Sequence, residues 1–356
     1  MRKVQYGIIG FGGIAENRIA REGFCADSTR FAPHPRAQLV GATDVNPARR
    51  QAAQSLGLRW YESAETLLAQ PEIEAVFIAT NNRSHAVVAR HALENGKHCL
   101  VEKPIATSLE DLKALQRLAR RRQLILGVDH MMAHNSYNRR ARSMASEGRI
   151  GRINDICLHM EFLYGASPAE AATWRCSVPQ ELGGPIGDVG SHCLYMAEYL
   201  LDESIGRLSC VYLPRTLDIA VENGAFLQFE TTGGIGGSAR VAFNQPRGGL
   251  ESTLLNLGYE LYGDGGAIRG YGTLFQLSGH PDEPVQIRLE VETPRSRETI
   301  HLDRVENIYQ TLISGHAERI RKGTFVDSNE ALHNLAMIIA CHESARSGGA
   351  FVSIAE

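Results

Sequence analysis

The 356-residue sequence has no long apolar run, no CxxC pair and only a small imbalance of charge, and each lack removes a class of function. No stretch approaches the ~20 apolar residues that a membrane-spanning helix needs. The start, MRKVQYGIIGFGG, sets a basic pair before an apolar run, but glycines break that run, Glu16 and Arg18 follow it, and no small-residue cleavage pattern appears, so it does not read as a signal peptide. The seven cysteines (Cys25, Cys99, Cys157, Cys176, Cys193, Cys210 and Cys341) are scattered and odd in number, which argues against a disulfide framework and fits a reducing cytoplasm. A net charge of -3 gives no electrostatic reason to expect nucleic acid. There are no repeats or low-complexity tracts, and 43% hydrophobic with 22% charged residues is ordinary for a globular chain.

What is present is alternation. Val4 to Ile9 is a short apolar run ending in a glycine turn, and helical spacing follows from Ile14. After an irregular segment from Glu22 to Arg36 with two prolines, strands are predicted at Gln38 to Thr43, Ala75 to Ala79, His98 to Val101 and Leu124 to Val128. Helices fall between them: one has Pro47 in its first turn, one runs from about His85 to Asn95 with Gly96 as its stop, and one extends to about Arg121 behind a Thr107-x-x-Glu110 capping box. Such spacing implies a doubly wound parallel sheet over residues 1–127. Beyond residue 128 the pattern changes. A helix near Asn138 to Glu147, a long strand from Ile153 to Tyr164 and a helix around Asp188 to Leu201 precede closely spaced strands at Leu208 to Leu213, Ala225 to Glu230, Gly237 to Phe243, Leu254 to Tyr262 and Val285 to Val291. Their succession without crossover helices predicts an α+β second domain, residues 128–356, with a large, mostly antiparallel open sheet and two closing helices, Val305 to Lys322 and Asn329 to Ala345.

Four groups of residues carry chemistry. In the turn Gly10-Phe11-Gly12-Gly13-Ile14-Ala15, the GxGxxA pattern stands between a strand and a helix, where absent side chains let the backbone approach a pyrophosphate and the helix start offers unpaired N–H groups. Asp44 ends the second strand, the position from which a carboxylate accepts from adenosine ribose hydroxyls and repels a phosphate there, favouring NAD. A turn residue before Asn46-Pro47 is its plainer reading, and Arg49 and Arg50 suit a 2′-phosphate, so NADP stays open. Glu102-Lys103-Pro104 follows the strand His98 to Val101, at the carboxyl end where doubly wound sheets place ligands, and Lys103 there suits proton exchange with a substrate hydroxyl. Asp188 and His192, four apart on a predicted helix, share a face: a histidine that titrates near neutrality with a carboxylate to orient it. A helix-start carboxylate and a core histidine are the structural alternative.

Together with Ala79-Thr80-Asn81-Asn82-Arg83-Ser84-His85, Gly183-Gly184 and the closing segment Glu306-Asn307-Ile308-Tyr309, these motifs, ordered over nearly the whole chain, resemble the glucose–fructose oxidoreductase/inositol dehydrogenase/rhizopine catabolism family. Asn81 stands where many of that family have proline, and Pro185 replaces the third glycine of a common GGG run. The resemblance implies a Rossmann domain and a second domain whose open sheet often makes homodimer or homotetramer contacts. It assigns Lys103, Asp188 and His192 as catalytic and places Thr80, Asn81, Asn82, His85 and Glu102 by the cofactor, with Asn82 and His85 on the nicotinamide side. It implies hydride transfer between NAD(P) and a sugar or cyclitol. An NAD-dependent glycosidase working by transient oxidation, with the same residues, and a non-catalytic dinucleotide-sensing regulator are the competing readings. His130, after the strand Leu124 to Val128, and Trp174 with Arg175, upstream of the Gly183-Gly184 turn, are read as substrate contacts, an indole face and a planar guanidinium fork suiting a sugar; a loop histidine, a core indole and a surface arginine are the structural alternative. No metal is expected, since His130 and His134 lack an HExxH pattern or a cysteine cluster.

Overall fold

Val4–Ile9 (β1) is buried on both faces but for the half-buried Gln5, as a central strand of a doubly wound sheet requires. The computed structural model describes residues 2–247, 256–281, 287–325 and 327–354. By mutual contact the chain falls into two units: Met1–Met131 with Leu277–Pro281 and Glu306–Leu332, and Met132–Gln276 with Asp282–Val305 and His333–Glu356. The return of Glu306–Leu332 to the first unit is a grouping that a single cut at 127/128 cannot express.

The first unit holds Ala37–Thr43 (β2), Arg59–Trp60 (β3), Ala75–Ile78 (β4), His98–Val101 (β5) and Leu126–Val128 (β6). With β1 they form one parallel sheet of order β3-β2-β1-β4-β5-β6, the dinucleotide-binding arrangement with its switch point at β1. The short strand β3 was not predicted. The helix after β1, Ala15–Gly23, is π-type rather than α. Helix Leu109–Arg122 is capped by Ser108, whose Oγ accepts from the Asp111 N–H at 3.1 Å, so the Thr107/Glu110 box is one residue out of register and Asp111 takes the third position of the helix. Asn307 Oδ1 caps helix Ile308–Lys322 at 2.9 and 3.0 Å. That helix packs on Ala15–Gly23, where a Cβ at Gly23 would lie 2.9 Å from the Tyr309 Cβ.

The second unit is built on Ile153–Glu161 (β7), Ile205–Tyr212 (β8), Gly224–Thr231 (β9), Gly236–Ala242 (β10), Gly258–Gly263 (β11), Gly266–Tyr271 (β12), Arg288–Thr293 (β13), Ser296–Ile300 (β14) and Val352–Ser353 (β15). Their order is β14-β13-β12-β11-β7-β10-β9-β8-β15, antiparallel except for β7 with β10. Residues 254–255 and 285–286 of two predicted strands lie outside the described residues, and β12, β14 and β15 were not predicted. Alternation is plain in β9, where Ala225, Leu227 and Phe229 are buried and Phe226 and Gln228 exposed. Helices Ser136–Ser146 and Ser191–Leu201 belong to the same unit. All seven cysteines are free thiols. Among the described residues no helix is long and apolar enough to cross a membrane.

Candidate active site

The glycine turn of the first unit has the geometry its sequence requires. Gly10 sits at φ +89° and donates its N–H to the Thr43 carbonyl at 3.0 Å. A Cβ there would lie 2.7 Å from the Ala79 backbone, so β1 and β4 close in on a position that only glycine fits. At Gly12 and Gly13 a Cβ would meet nothing within 4 Å: this is open space in front of backbone N–H groups. Phe11 and Ala15 are buried beneath the turn while Ile14 is exposed. The cradle fits a pyrophosphate. Arg49 reaches back to it, donating from Nε to the Phe11 carbonyl at 2.7 Å and from Nη2 to Glu16 Oε2 at 2.5 Å. Arg50 instead pairs with Glu62. Asp44, half-buried at the end of β2, accepts the Asn46 N–H at 2.8 Å, so one of its oxygens does serve the turn.

At the ends of β4 and β5 the side chains hold loops together. Asn81 precedes helix Asn82–Glu94, and its Oδ1 accepts from Ser84 Oγ at 2.5 Å. Asn82 and His85 are both buried. The His85 ring bridges two loops, with Nδ1 2.8 Å from the Pro104 carbonyl and Nε2 3.1 Å from that of Thr80. His85 therefore ties the Thr80 turn to the Lys103-Pro104 turn, whose peptide bond is cis. Glu102 and Lys103 are half-buried there, and the Glu102 N–H donates to the Ile78 carbonyl at 2.9 Å. His130 is buried just beyond β6, next to the wholly buried Asp129. Asp129 went unread in the sequence, although it stands one residue past a strand, the signal that singled out Glu102.

In the second unit the Gly183-Gly184 turn lies against Arg175, which meets both Trp174 and Asp188. A Cβ at Gly183 would lie 2.6 Å from the Arg175 carbonyl oxygen, which is how the short helix Trp174–Ser177 comes to rest on the turn. Gly184, at φ +68°, leaves room for the Glu222 carboxylate, where a Cβ would meet Oε1 at 2.6 Å. Glu222 Oε1 also accepts the Ile186 N–H at 2.9 Å, and burial pushes its carboxyl up from the usual range. No local pattern pointed to Glu222, 36 residues from its partner. Asp188 lies in a π-type turn, Ile186–Gly190, and His192 in the α-helix Ser191–Leu201, so the helix expected over both opens with a wider turn. His192 is buried, its ring edge-on to Tyr195 at 5.6 Å between centroids. Arg175 donates from Nε to Asp188 Oδ1 at 3.3 Å and lies 4.6 Å from the centre of the half-buried Trp174 ring.

A family model described as an oxidoreductase family with an NAD-binding Rossmann fold matches residues 4–130, and one for the GFO/IDH/MocA C-terminal domain matches residues 138–269. Over 142 residues the chain is 33% identical to the 1,5-anhydro-D-fructose reductase of Ensifer adhaerens, a match covering 40% of this chain and 41% of that one, so it spans about two fifths of that relative's length. It is 27% identical over 307 residues to the dTDP-3,4-didehydro-2,6-dideoxy-alpha-D-glucose 3-reductase of Streptomyces violaceoruber, covering 84% of this chain and 80% of that one. A levoglucosan dehydrogenase solved in complex with NADH and levoglucosan has the same fold, with a TM-score of 0.81 over 100% of both chains at 21% identity. With an NAD-binding Rossmann sheet followed by this C-terminal domain, the chain belongs to the Gfo/Idh/MocA oxidoreductase family.

Proposed function

We propose that this protein is an NAD(P)-dependent dehydrogenase or reductase that interconverts a secondary alcohol and a ketone on a sugar, cyclitol or sugar derivative. The observation that carries the reading is the Gly183-Gly184 turn, which sets Arg175 on Asp188 four residues before His192, in a chain whose relatives include reductases named for anhydro- and dideoxy-sugars. A carboxylate, a guanidinium fork, an indole face and an imidazole are the groups that a polyhydroxylated ring calls for.

Gly10, Gly12, Gly13 and the start of helix Ala15–Gly23 would hold the cofactor pyrophosphate, with Asp44 on the adenosine ribose and Arg49 beside the turn. Asp44 favours NAD over NADP. When bound, the nicotinamide supplies the hydride acceptor or donor. His192 takes the hydroxyl proton in the oxidative direction, assisted by Lys103. Asp188 steers His192 and binds a second hydroxyl. His85 and Asn82 shape the nicotinamide side: His85 does so by anchoring Thr80 and Pro104 through their carbonyls. Trp174 and Arg175 read the sugar, with His130 a further substrate contact. The second sheet's exposed strip, where Val211 of β8 pairs across with Phe226 of β9, suits contact with a second copy of the chain. A reducing cytoplasm suits seven free thiols.

The test is a screen of polyols, sugars and glycosides with NAD and NADP that follows both reduced cofactor and product by mass spectrometry. Stoichiometric NAD(P)H with a keto-sugar product is expected. Glycoside cleavage without net NADH, or dinucleotide binding with no turnover on any sugar, would overturn the dehydrogenase reading.

A further inference from the structure

β5 and β6 run parallel with Val101 opposite Val128, so the residues that follow them, Glu102 and Asp129, leave adjacent strand ends side by side. The Asp129 N–H donates to the Val101 carbonyl at 2.8 Å, and the His130 N–H closes a tight turn onto the Val128 carbonyl at 3.0 Å, which fixes where the Asp129 side chain departs. Asp129 is 0% exposed. Among the described residues neither of its oxygens meets a donor at hydrogen-bonding geometry, and the groups whose charge acts on it are the Glu102 carboxyl, the Lys103 ammonium and the Met131 N–H. Two carboxyl groups and one ammonium therefore occupy one corner of the first unit, with His130 next along the chain and His85 bonded to the neighbouring Pro104 carbonyl.

We propose that Asp129 and Glu102 share one proton, Asp129 as the acid that donates to the Glu102 carboxylate, so that the pair presents a single negative charge to Lys103. The charge balance favours this. With both carboxylates ionised, three buried or half-buried groups carry a net charge of about −1, whereas one shared proton brings them to neutrality and replaces a repulsion between like charges with a hydrogen bond. Burial first, then the Glu102 charge and its hydrogen bond, push the Asp129 carboxyl well above the usual carboxylate range, against the opposing pull of Lys103 and the Met131 N–H. Asp129 is then a positioning residue, giving Lys103 one counter-charge in a fixed place. This rests on the reading of Lys103 as an active-site residue, but the proton can be observed without turnover.

The experiment is infrared spectroscopy of the whole protein carrying 13C-carboxyl aspartate, titrated across the neutral range. A protonated carboxylic-acid band that shifts with the aspartate label, persists at pH 7 and vanishes in Asp129→Asn is expected. In Glu102→Gln the same band should titrate at least about one pH unit lower, because the charge that raises it is gone. Far-ultraviolet circular dichroism and a cooperative thermal unfolding transition report that each variant is folded, and the labelled wild type with Glu102→Gln decides the matter should Asp129→Asn fail to fold. An aspartate spectrum fully ionised at pH 7, or a midpoint unmoved by Glu102→Gln, overturns the shared proton. Either result leaves the dehydrogenase reading to its own screen, and a failed screen leaves the band where it is.

Discussion

Arg175 holds Asp188 through Nε at 3.3 Å while its guanidinium lies over the Trp174 ring, 4.6 Å from the ring centre. The pair lies 13 residues apart in the chain and is joined by a turn whose first glycine leaves no room for a Cβ. Both interactions are partly exposed, so the link is of positional rather than energetic weight.

Arg175→Lys keeps the charge and removes both the Nε donor and the planar stack. The expected result is a KM raised about tenfold on the best substrate of the screen, corresponding to roughly 1.4 kcal/mol, with NAD affinity little changed. Unaltered kinetics would retire Arg175 as a substrate contact, and a penalty confined to phosphorylated, sulfonated or carboxylated sugars would show that the natural substrate is an acid.

His192→Ala and Lys103→Ala should each lose ~10²- to 10⁴-fold in turnover, the usual share of a general acid–base group, while still binding dinucleotide. Stopped-flow turnover alongside calorimetry separates the two effects. Near-wild-type rates in both variants would refute the proposed proton transfer.

Asp44 should make the unmodified protein bind NAD more tightly than NADP, since a 2′-phosphate would meet a like charge there. Asp44→Ser should narrow that preference. Tighter NADP binding by the wild type, measured by calorimetry, would transfer the role to Arg49, which is already at the turn through the Phe11 carbonyl.

Gly10→Ala must force a side chain into a left-handed conformation at φ +89° and against the Ala79 backbone. A loss of at least about 1–3 kcal/mol in stability is expected, together with weakened NAD binding as the turn deforms. Thermal unfolding and an NAD titration check this, and a variant that melts and binds as the wild type does would mean that the turn has slack.

His316 should contribute to the acid side of stability. Its Nδ1 accepts from Tyr6 Oη at 2.7 Å and its Nε2 faces the Cys99 carbonyl at 3.1 Å, the pattern of a neutral ring in one tautomer. Complete burial, then His98 and Arg319, lower it from 6.5 to about 3. A base whose folded value is lowered binds fewer protons folded than unfolded between those limits. Its contribution is therefore whole above about pH 6.5 and drains away as pH falls toward about 3. The loss is on the order of 5 kcal/mol at about 1.4 kcal/mol per pH unit. Denaturant unfolding of wild type and His316→Gln between these limits should show a steep slope in the first and a flatter one in the second. Equal slopes would refute the assignment.

Local pattern carried much of this protein in its linear chain. A strand such as Val4–Ile9, a glycine turn and the helix behind it lie within some twenty residues, and their periodicity and missing side chains are properties of neighbours, readable before any folding. Glu102, Lys103, Asp188 and His192 could be read as candidates for the same reason, since each stands just past a strand or near the start of a helix. The shift of the helix cap from Thr107 to Ser108 shows the limit of such signals, because two adjacent hydroxyls offer the same chemistry and only the backbone path chooses. Pairings across long stretches of chain had no linear signal. The parallel join of β7 to β10, the seat of Tyr309 against Gly23, the Glu222 carboxylate under the Ile186 N–H and the meeting of Asp129 with Glu102 all depend on which strand ends and helix faces packing brings side by side. Burial and hydrogen bonding settle those choices over the whole fold at once, and a side chain's charge, partner and exposure exist only after they are made.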